Sequence, residues 1–296
     1  MSRQTSYMLD EEIQDALFNN MRCVISGTTN SPHFLLLTVY FVNNWMKISI
    51  ITAVYNRATT LTNSIDSVQS QSYGNTEHVL VDGASSDGSV ELIQERLRSQ
   101  DLFVSERDKG IYDALNKGLK MATGDVIGLV HSDDYLADSH VLRDVAHALS
   151  QPGVDGVYGD LQYVSKDDTS KVIRHWESGE YHISKLKRGW MPPHPTLFLK
   201  REVIEQWGGY DTNLRIAADY DAMLRYLQKG KIQLAYVPRV LVKMRVGGES
   251  NQSLKKIIQK SREDIVALRN NGVGGFGTLV FKNLSKVKQF FWTACS

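Results

Sequence analysis

Four apolar runs, MKISIITAVYN, HVLVDG, LFVSE and DVIGLV, fall between residues 46 and 130, and none alternates polar with apolar side chains. Strands that lack this alternation are buried on both faces, as in a parallel sheet covered by helices. Helical stripes separate the runs. Leu61, Ile65 and Val68 follow the first, Leu92, Ile93 and Leu97 the second, and Ile111, Leu115 and Leu119 the third. Val141, Leu142, Val145 and Leu149 follow the fourth. Spacings of three and four residues place each set on one helical face. Strands alternating with helices of this length predict an α/β fold, a Rossmann-like and mainly parallel sheet with helices on both faces. Thr59 and Thr60 offer caps for the first helix.

Beyond about residue 154 the pattern is mixed. VDGVYGD, LQYVSKD and KVIRHW read as strands with a polar turn at 167–170, and TLFLK and LAYVPR flank a helix around 218–229. One domain is expected over 46–250, with a first half at 46–150 and a mixed second half at 151–250. Residues 1–45 are expected to be a poorly structured N-terminal extension, with Met46 a natural start, and 251–296 a basic and aromatic helical tail. From 254 onward the tail holds eight Lys and Arg against two acids, interleaved with Leu284, Val287, Phe290, Phe291 and Trp292.

With 34 Lys and Arg against 33 Asp and Glu, net charge is +1, so no global field favours nucleic acid. The two cysteines, Cys23 and Cys295, match no disulfide or metal spacing and fit a reducing, cytoplasmic setting. The longest apolar run, FLLLTVYFV at 34–42, is about half of a bilayer span. It lacks a basic stretch before it and a small-residue cleavage site after it, so a signal peptide is not expected.

Open α/β sheets bind ligands beyond the carboxyl ends of their strands. Those ends read TAVYN, DGASSDGS, SERDKG and HSDD, four polar segments that converge on one edge. The last groups Asp133 and Asp134 with no Lys or Arg beside them, which costs free energy unless a cation neutralises them. On an extended strand His131 and Asp133 share a face and Asp134 points away, where it can bond the backbone of the following turn. No GxxxxGK[ST] or GxSxG is present. GVGGFG at Gly272–Gly277 matches GxGxxG, but it follows a helical pattern and reads as a flexible linker.

ISIITAVYN, VDGASSDGS, DKGIYDALNKGLKMATGDVIGLVHSDD and GGYDTNLRIAADYDAMLR together resemble family 2 glycosyltransferases with the A-type nucleotide-sugar fold. The likeness covers about 46–250, in order and spacing, and makes 46–150 the nucleotide-sugar-binding half and 151–250 the acceptor-binding half. It implies an inverting transferase using a nucleotide-diphospho-sugar, with UDP as the default base, and Mn²⁺ or Mg²⁺. The acceptor would be a surface glycan or a lipid-linked molecule.

The family's acid motif falls on HSDD, which makes Asp133 the metal ligand and Ser132 its neighbour at the donor; His131 stands where an acid is usual. Asp82 matches the acid that contacts the base, and Thr52, Ala53, Tyr55 and Asn56 match the segment around the nucleoside. Asp108, Lys109 and Asn116 lie on the third rim loop and the helix after it, where Lys109 can reach a phosphate. Asp219 matches the catalytic base, although Asp at a helix start is also a common cap. His194, confined between Pro193 and Pro195, can face the acceptor or the diphosphate, or serve only its loop.

Two other activities compete. A sugar-nucleotide nucleotidyltransferase needs a glycine-rich cationic loop after the first strand, and TAVYNRATT has no glycine. A catalytically silent nucleotide-sugar-binding protein is disfavoured by the presence of both Asp133 and Asp219. The tail can touch the cytoplasmic membrane surface, since clustered cations attract anionic lipid; an amphipathic helix packed on the domain is the alternative.

Overall fold

Ile48, Ile50 and Ile51 are wholly buried because their strand has neighbours on both sides and helices on both faces. The computed structural model describes residues 46–246 and 254–291. The expectations for residues 1–45 and for Trp292 lie outside them. Strand β1 (Ile48–Val54) pairs in parallel with β2 (Thr76–Asp82) and with β4 (Val126–Leu129), and β3 (Leu102–Ser105) extends the sheet beyond β2. Among the described residues five further strands, β5 (Tyr135–Leu136), β6 (Gly156–Val164), β7 (Val172–Trp176), β8 (Phe198–Lys200) and β9 (Leu234–Arg245), complete one nine-stranded sheet in the order β3-β2-β1-β4-β8-β6-β9-β5, with β7 beside β6.

The second half is mixed, as its sequence pattern implied. β8 runs antiparallel to both β4 and β6. β9 is parallel to β6, while β5 and β7 are antiparallel partners of β9 and β6. Gly128 makes the junction possible, because a Cβ there would collide with the Phe198 ring.

Alternate residues of β2 feed opposite cores. Leu80 meets Leu61 and Ile65 of α1 (Ala58–Gln69) and Ile93 of α2 (Ser89–Arg96). Val79 and Val81 meet Ala114 and Leu115 of α3 (Ile111–Met121). Helix α4 (Val141–Leu149) covers Ile48, Ile50 and Val126. Neither Thr59 nor Thr60 caps α1; the Ala58 N–H instead donates to Asp87 Oδ2 at 3.0 Å, from across the rim.

In the second half, α5 (Arg201–Trp207) follows β8, and α6 (Ala218–Leu224) continues as a wider turn over Arg225–Lys229. The stripe Tyr220, Met223, Leu224 and Leu227 is buried, against Ala267 and Leu268 of α7 (Leu254–Asn270) and Leu279 of α8 (Phe276–Phe291). GVGGFG joins α7 to α8 with no strand before it, so it lacks the setting of a dinucleotide loop.

Candidate active site

Parallel pairing puts Val54, Asp82 and Ser105 in register at the carboxyl ends of three strands, so the loops after them share an edge. Asp82 is fully buried there. Its Oδ2 accepts the Ser85 N–H at 2.9 Å and the Ser105 hydroxyl at 2.7 Å. Its Oδ1 is enclosed and has no hydrogen-bond partner among the described residues. A buried acceptor without a donor is expensive unless a ligand supplies one.

The loops around Asp82 are tied to one another. Asn56, at φ 51°, donates its N–H to Ser85 Oγ at 2.8 Å and accepts the Ser86 N–H on Oδ1 at 2.9 Å. A Cβ on Gly83 would strike the Asp108 carboxylate and crowd the Tyr55 ring, so glycine lets these two side chains close round the backbone. Tyr55 is 62% exposed, a free aromatic face at the rim. Asp108 Oδ1 accepts the Gly110 N–H at 2.8 Å, and the exposed Lys109 side chain makes no ion pair among the described residues. Ala53 is half-buried at the end of β1.

Thr52 and Asn116 do other work. Thr52 is sealed inside the sheet, its hydroxyl donating to the Val130 carbonyl at 2.7 Å beside His78 Nε2. It supports the rim from within and offers no side-chain atom to a ligand. The Asn116 amide is spent on the main chain of Tyr210, donating to its carbonyl at 2.8 Å and accepting its N–H at 2.9 Å. It braces the segment that leads to Asp219.

HSDD is a turn, not the extended strand expected from sequence: β4 stops at Leu129 and the Asp134 N–H returns to the His131 carbonyl at 2.9 Å. Helix α1 holds that turn through Thr60 Oγ1 to the Ser132 carbonyl at 2.9 Å and Ser64 Oγ to the His131 carbonyl at 3.1 Å. Ser132 is buried and Asp133 half-buried. Asp134 is buried, and its partner is not the following turn: Oδ1 accepts the Arg245 N–H at 3.3 Å, across the sheet, while Oδ2 has no partner among the described residues. Burial, reinforced by the Asp133 charge, holds the Asp134 carboxyl well above the usual carboxylate range. The buried Arg245 also donates through Nη1 to the Asp133 carbonyl at 2.5 Å. Sequence reading missed Arg245; two cations, Lys243 and Arg245, set two residues apart in the otherwise apolar run LVKMRV were the available signal.

A second cluster faces this turn. The His131 and His194 rings are 6.3 Å apart, and His194 Nε2 lies 3.0 Å from the Tyr210 hydroxyl. Burial pushes His194 down to about 4, against the opposing charge of Asp219 and with the help of His131. Burial also lowers His131, against the carboxylates of Asp133 and Asp219. Both rings are therefore neutral at physiological pH. Asp219 lies in the first turn of α6 and makes no side-chain cap. Tyr112, its ring tilted by 30° against that of Tyr210 at 5.6 Å between centroids, brings its hydroxyl to 3.1 Å from Asp219 Oδ1 and 2.8 Å from the Ile216 carbonyl.

The described residues hold no cluster of three or more His, Cys, Asp or Glu able to cage a metal. Asp133 alone fits a hard cation that takes its remaining ligands from a diphosphate and water. The partnerless Asp134 Oδ2 beside it marks a place short of positive charge or of donors.

A mainly parallel sheet with carboxylates gathered at one edge, merging with a mixed half that carries a further acid, defines a glycosyltransferase of the A-type fold. The sequence model described as Glycosyl transferase family 2 matches residues 49–207, more than half of the chain, and the chain belongs to that family. A Mycobacterium tuberculosis protein described as an uncharacterized glycosyltransferase is 31% identical over 180 residues, 60% of this chain and 68% of its own. The PGL/p-HBAD biosynthesis glycosyltransferase of Mycobacterium bovis is 29% identical over 213 residues, 70% of this chain and 80% of its own. S. aureus TarS 1–349 in complex with UDP-GlcNAc superposes with a TM-score of 0.58 at 18% identity, covering 76% of this chain and 67% of that one. A longer TarS chain is covered only to 40%. The mannosyltransferase PcManGT from Pyrobaculum calidifontis, in complex with GDP-Man and Mn²⁺, has a TM-score of 0.58 at 19% identity, covering 85% of this chain and 76% of that one. At such identities the solved structures share the fold.

Proposed function

We propose that the protein transfers a sugar, with inversion, from a nucleoside-diphospho-sugar to a glycan or lipid-linked acceptor in surface polysaccharide or glycolipid synthesis. UDP is the favoured nucleotide, since the enclosed Asp82 Oδ1 suits the imide N–H of a uracil and a TarS structure holds UDP-GlcNAc. Tyr55 and Gly83 border the base, while Ala53, Asn56 and Asp108 shape the nucleoside pocket, with Lys109 free to swing to a phosphate.

The observation that carries the reading is that Asp219 starts a helix without capping it. Its carboxylate is left for proton transfer, oriented by Tyr112 and felt by both neutral imidazoles. Asp219 removes the proton from the acceptor hydroxyl while that oxygen attacks the anomeric carbon. The bond from that carbon to the diphosphate breaks in the same displacement, so the configuration inverts. Mn²⁺ or Mg²⁺ held by Asp133 and the diphosphate oxygens would offset the charge that develops on the leaving group. His194 and His131 line the acceptor side, uncharged, and exclude water.

A lipid-linked acceptor also suits α8. The described helix carries no acid and exposes Phe276, Phe281 and Leu284, a surface for the cytoplasmic face of an anionic membrane. No helix among the described residues is long and apolar enough to cross one.

The test is a panel of UDP-, GDP- and dTDP-sugars, read by thermal shift with and without Mn²⁺. A UDP-sugar should stabilise the parent chiefly with the metal present, and Asp133→Asn should lose the metal-dependent part. Equal stabilisation in EDTA, or by all bases alike, would refute the assignment.

A further inference from the structure

The carboxylate of Glu263, on α7, reaches out of its own helix and grips the segment in front of Asp219. Its Oε2 accepts the Ile216 N–H at 2.7 Å and the Ala217 N–H at 3.0 Å. Its Oε1 accepts the Gln259 side-chain amide at 2.8 Å, one turn back on α7. Ile216 is thereby fixed from both sides, by Glu263 on its N–H and by Tyr112 on its carbonyl. Asn271, the residue after α7, grips α6 again, its amide donating to Asp221 Oδ1 at 2.8 Å. Helix α8 braces α7 in turn, with Lys282 Nζ 3.0 Å from the buried Asp264 and 3.2 Å from the Tyr220 ring centroid.

We infer that Glu263 is a positioning residue for Asp219, and that α7, which lies beyond the matched residues 49–207, belongs to the catalytic machinery. The inference rests on the reading of Asp219 as the base. An acid in the first turn of a helix is drawn to the free N–H groups and positive end of that helix. Glu263, through the reach of one side-chain oxygen, ties down the two N–H groups leading into that end. The Asp219 carboxylate is left to Tyr112 and to the acceptor. The placement matters because a displacement of about 1 Å in a catalytic group can lower the rate by about a hundredfold.

Three substitutions separate reach from charge. Glu263→Gln keeps an acceptor at the same length and loses the charge; Glu263→Asp keeps the charge and falls short by one methylene; Glu263→Ala removes both. Binding is measured with UDP and with GDP in Mn²⁺. Turnover is measured as the nucleoside diphosphate, UDP or GDP, released from UDP-GlcNAc or GDP-mannose, whichever the parent uses. Glu263→Gln should hold kcat within about threefold, while Glu263→Asp and Glu263→Ala should lower it by about ten- to a hundredfold. Donor KM and nucleotide affinity should stay at the parental level in all three. If the alanine variant does not fold, the Asp and Gln pair decides. Parental kcat in Glu263→Asp overturns the inference, and so does a loss of kcat matched by a loss of nucleotide affinity. Asp219→Asn is run beside them. If it keeps turnover, the base assignment has failed; if it is inactive while Glu263→Asp is not, only the positioning role has failed.

Discussion

Tyr112 Oη stands 3.1 Å from Asp219 Oδ1, joining a helix of the parallel first half to the helix that carries the proposed base, 107 residues later. The same hydroxyl is 2.8 Å from the Ile216 carbonyl, and a single O–H proton serves one acceptor at a time. Tyr112 therefore orients Asp219 without neutralising it, and burial keeps the phenol itself protonated at any working pH.

Tyr112→Phe removes this orientation and leaves the ring packing against Tyr210. Turnover should fall by about five- to thirtyfold, the equivalent of a lost hydrogen bond worth about 1–2 kcal/mol, with nucleotide affinity unchanged. A phenylalanine variant with parental kcat would show that Asp219 is held by other contacts.

Much of this was legible in the sequence. Strands without alternation placed Asp82 at a sheet edge, and the stripe Tyr220, Met223, Leu224 and Leu227 gave α6 its buried face, leaving Asp219 on another. Thr52 was misread because rim and interior differ by one or two residues along a strand, and strand ends carry no sharp local mark. The HSDD turn was misread as strand because α1 hydroxyls, not local propensity, shape it. Asp87 at Ala58 and Glu263 at Ala217 grip helix starts from 29 and 46 residues away, and a contact made across the fold leaves no spacing to read.

His194 titrates far below its usual value of 6.5, at about 4, chiefly through burial. A group whose folded pKa is depressed binds a proton in the unfolded chain first. Stability should therefore be intact above pH 6.5 and decline as pH falls from there toward 4. His78, buried and also near 4, adds to the same decline. Melting temperatures of the parent should drop across this window, and those of His194→Gln should drop less. An identical pH dependence in the variant would mean that His194 does not contribute.

The exposed Phe276, Phe281 and Leu284 of α8 predict peripheral binding to anionic bilayers. Deleting the helix is a poor test, since Leu279 and Lys282 are buried in the fold. Replacing Phe276, Phe281 and Leu284 together by serine spares those contacts. The parent should co-sediment with phosphatidylglycerol vesicles, less so with phosphatidylcholine or at high salt, and the triple variant should stay in solution. Binding that survives the substitutions would place the membrane contact elsewhere.

Asp219 and Asp221 are two residues apart and opposite in role. Asp221 is buried, 3.5 Å from the Arg225 guanidinium, and accepts the Asn271 amide at 2.8 Å, which ties α6 to the start of the segment that follows α7. Asp219 is half-buried, and among the described residues its side chain makes no cap and hydrogen-bonds Tyr112. Asp219→Asn should then leave the melting temperature and nucleotide affinity in place and lower transfer by about two to four orders of magnitude, because an amide cannot accept the acceptor's proton. Asp221→Asn should do the reverse. Its carbonyl can still receive the Asn271 amide, but the pair with Arg225 is lost, at about 1–2 kcal/mol of stability. Transfer per folded molecule should remain within a fewfold of the parent. Thermal melts and single-turnover transfer on both variants decide the matter. If Asp219→Asn melts early yet transfers normally while folded, Asp219 is a structural acid and the base must be sought among the other side chains of this site.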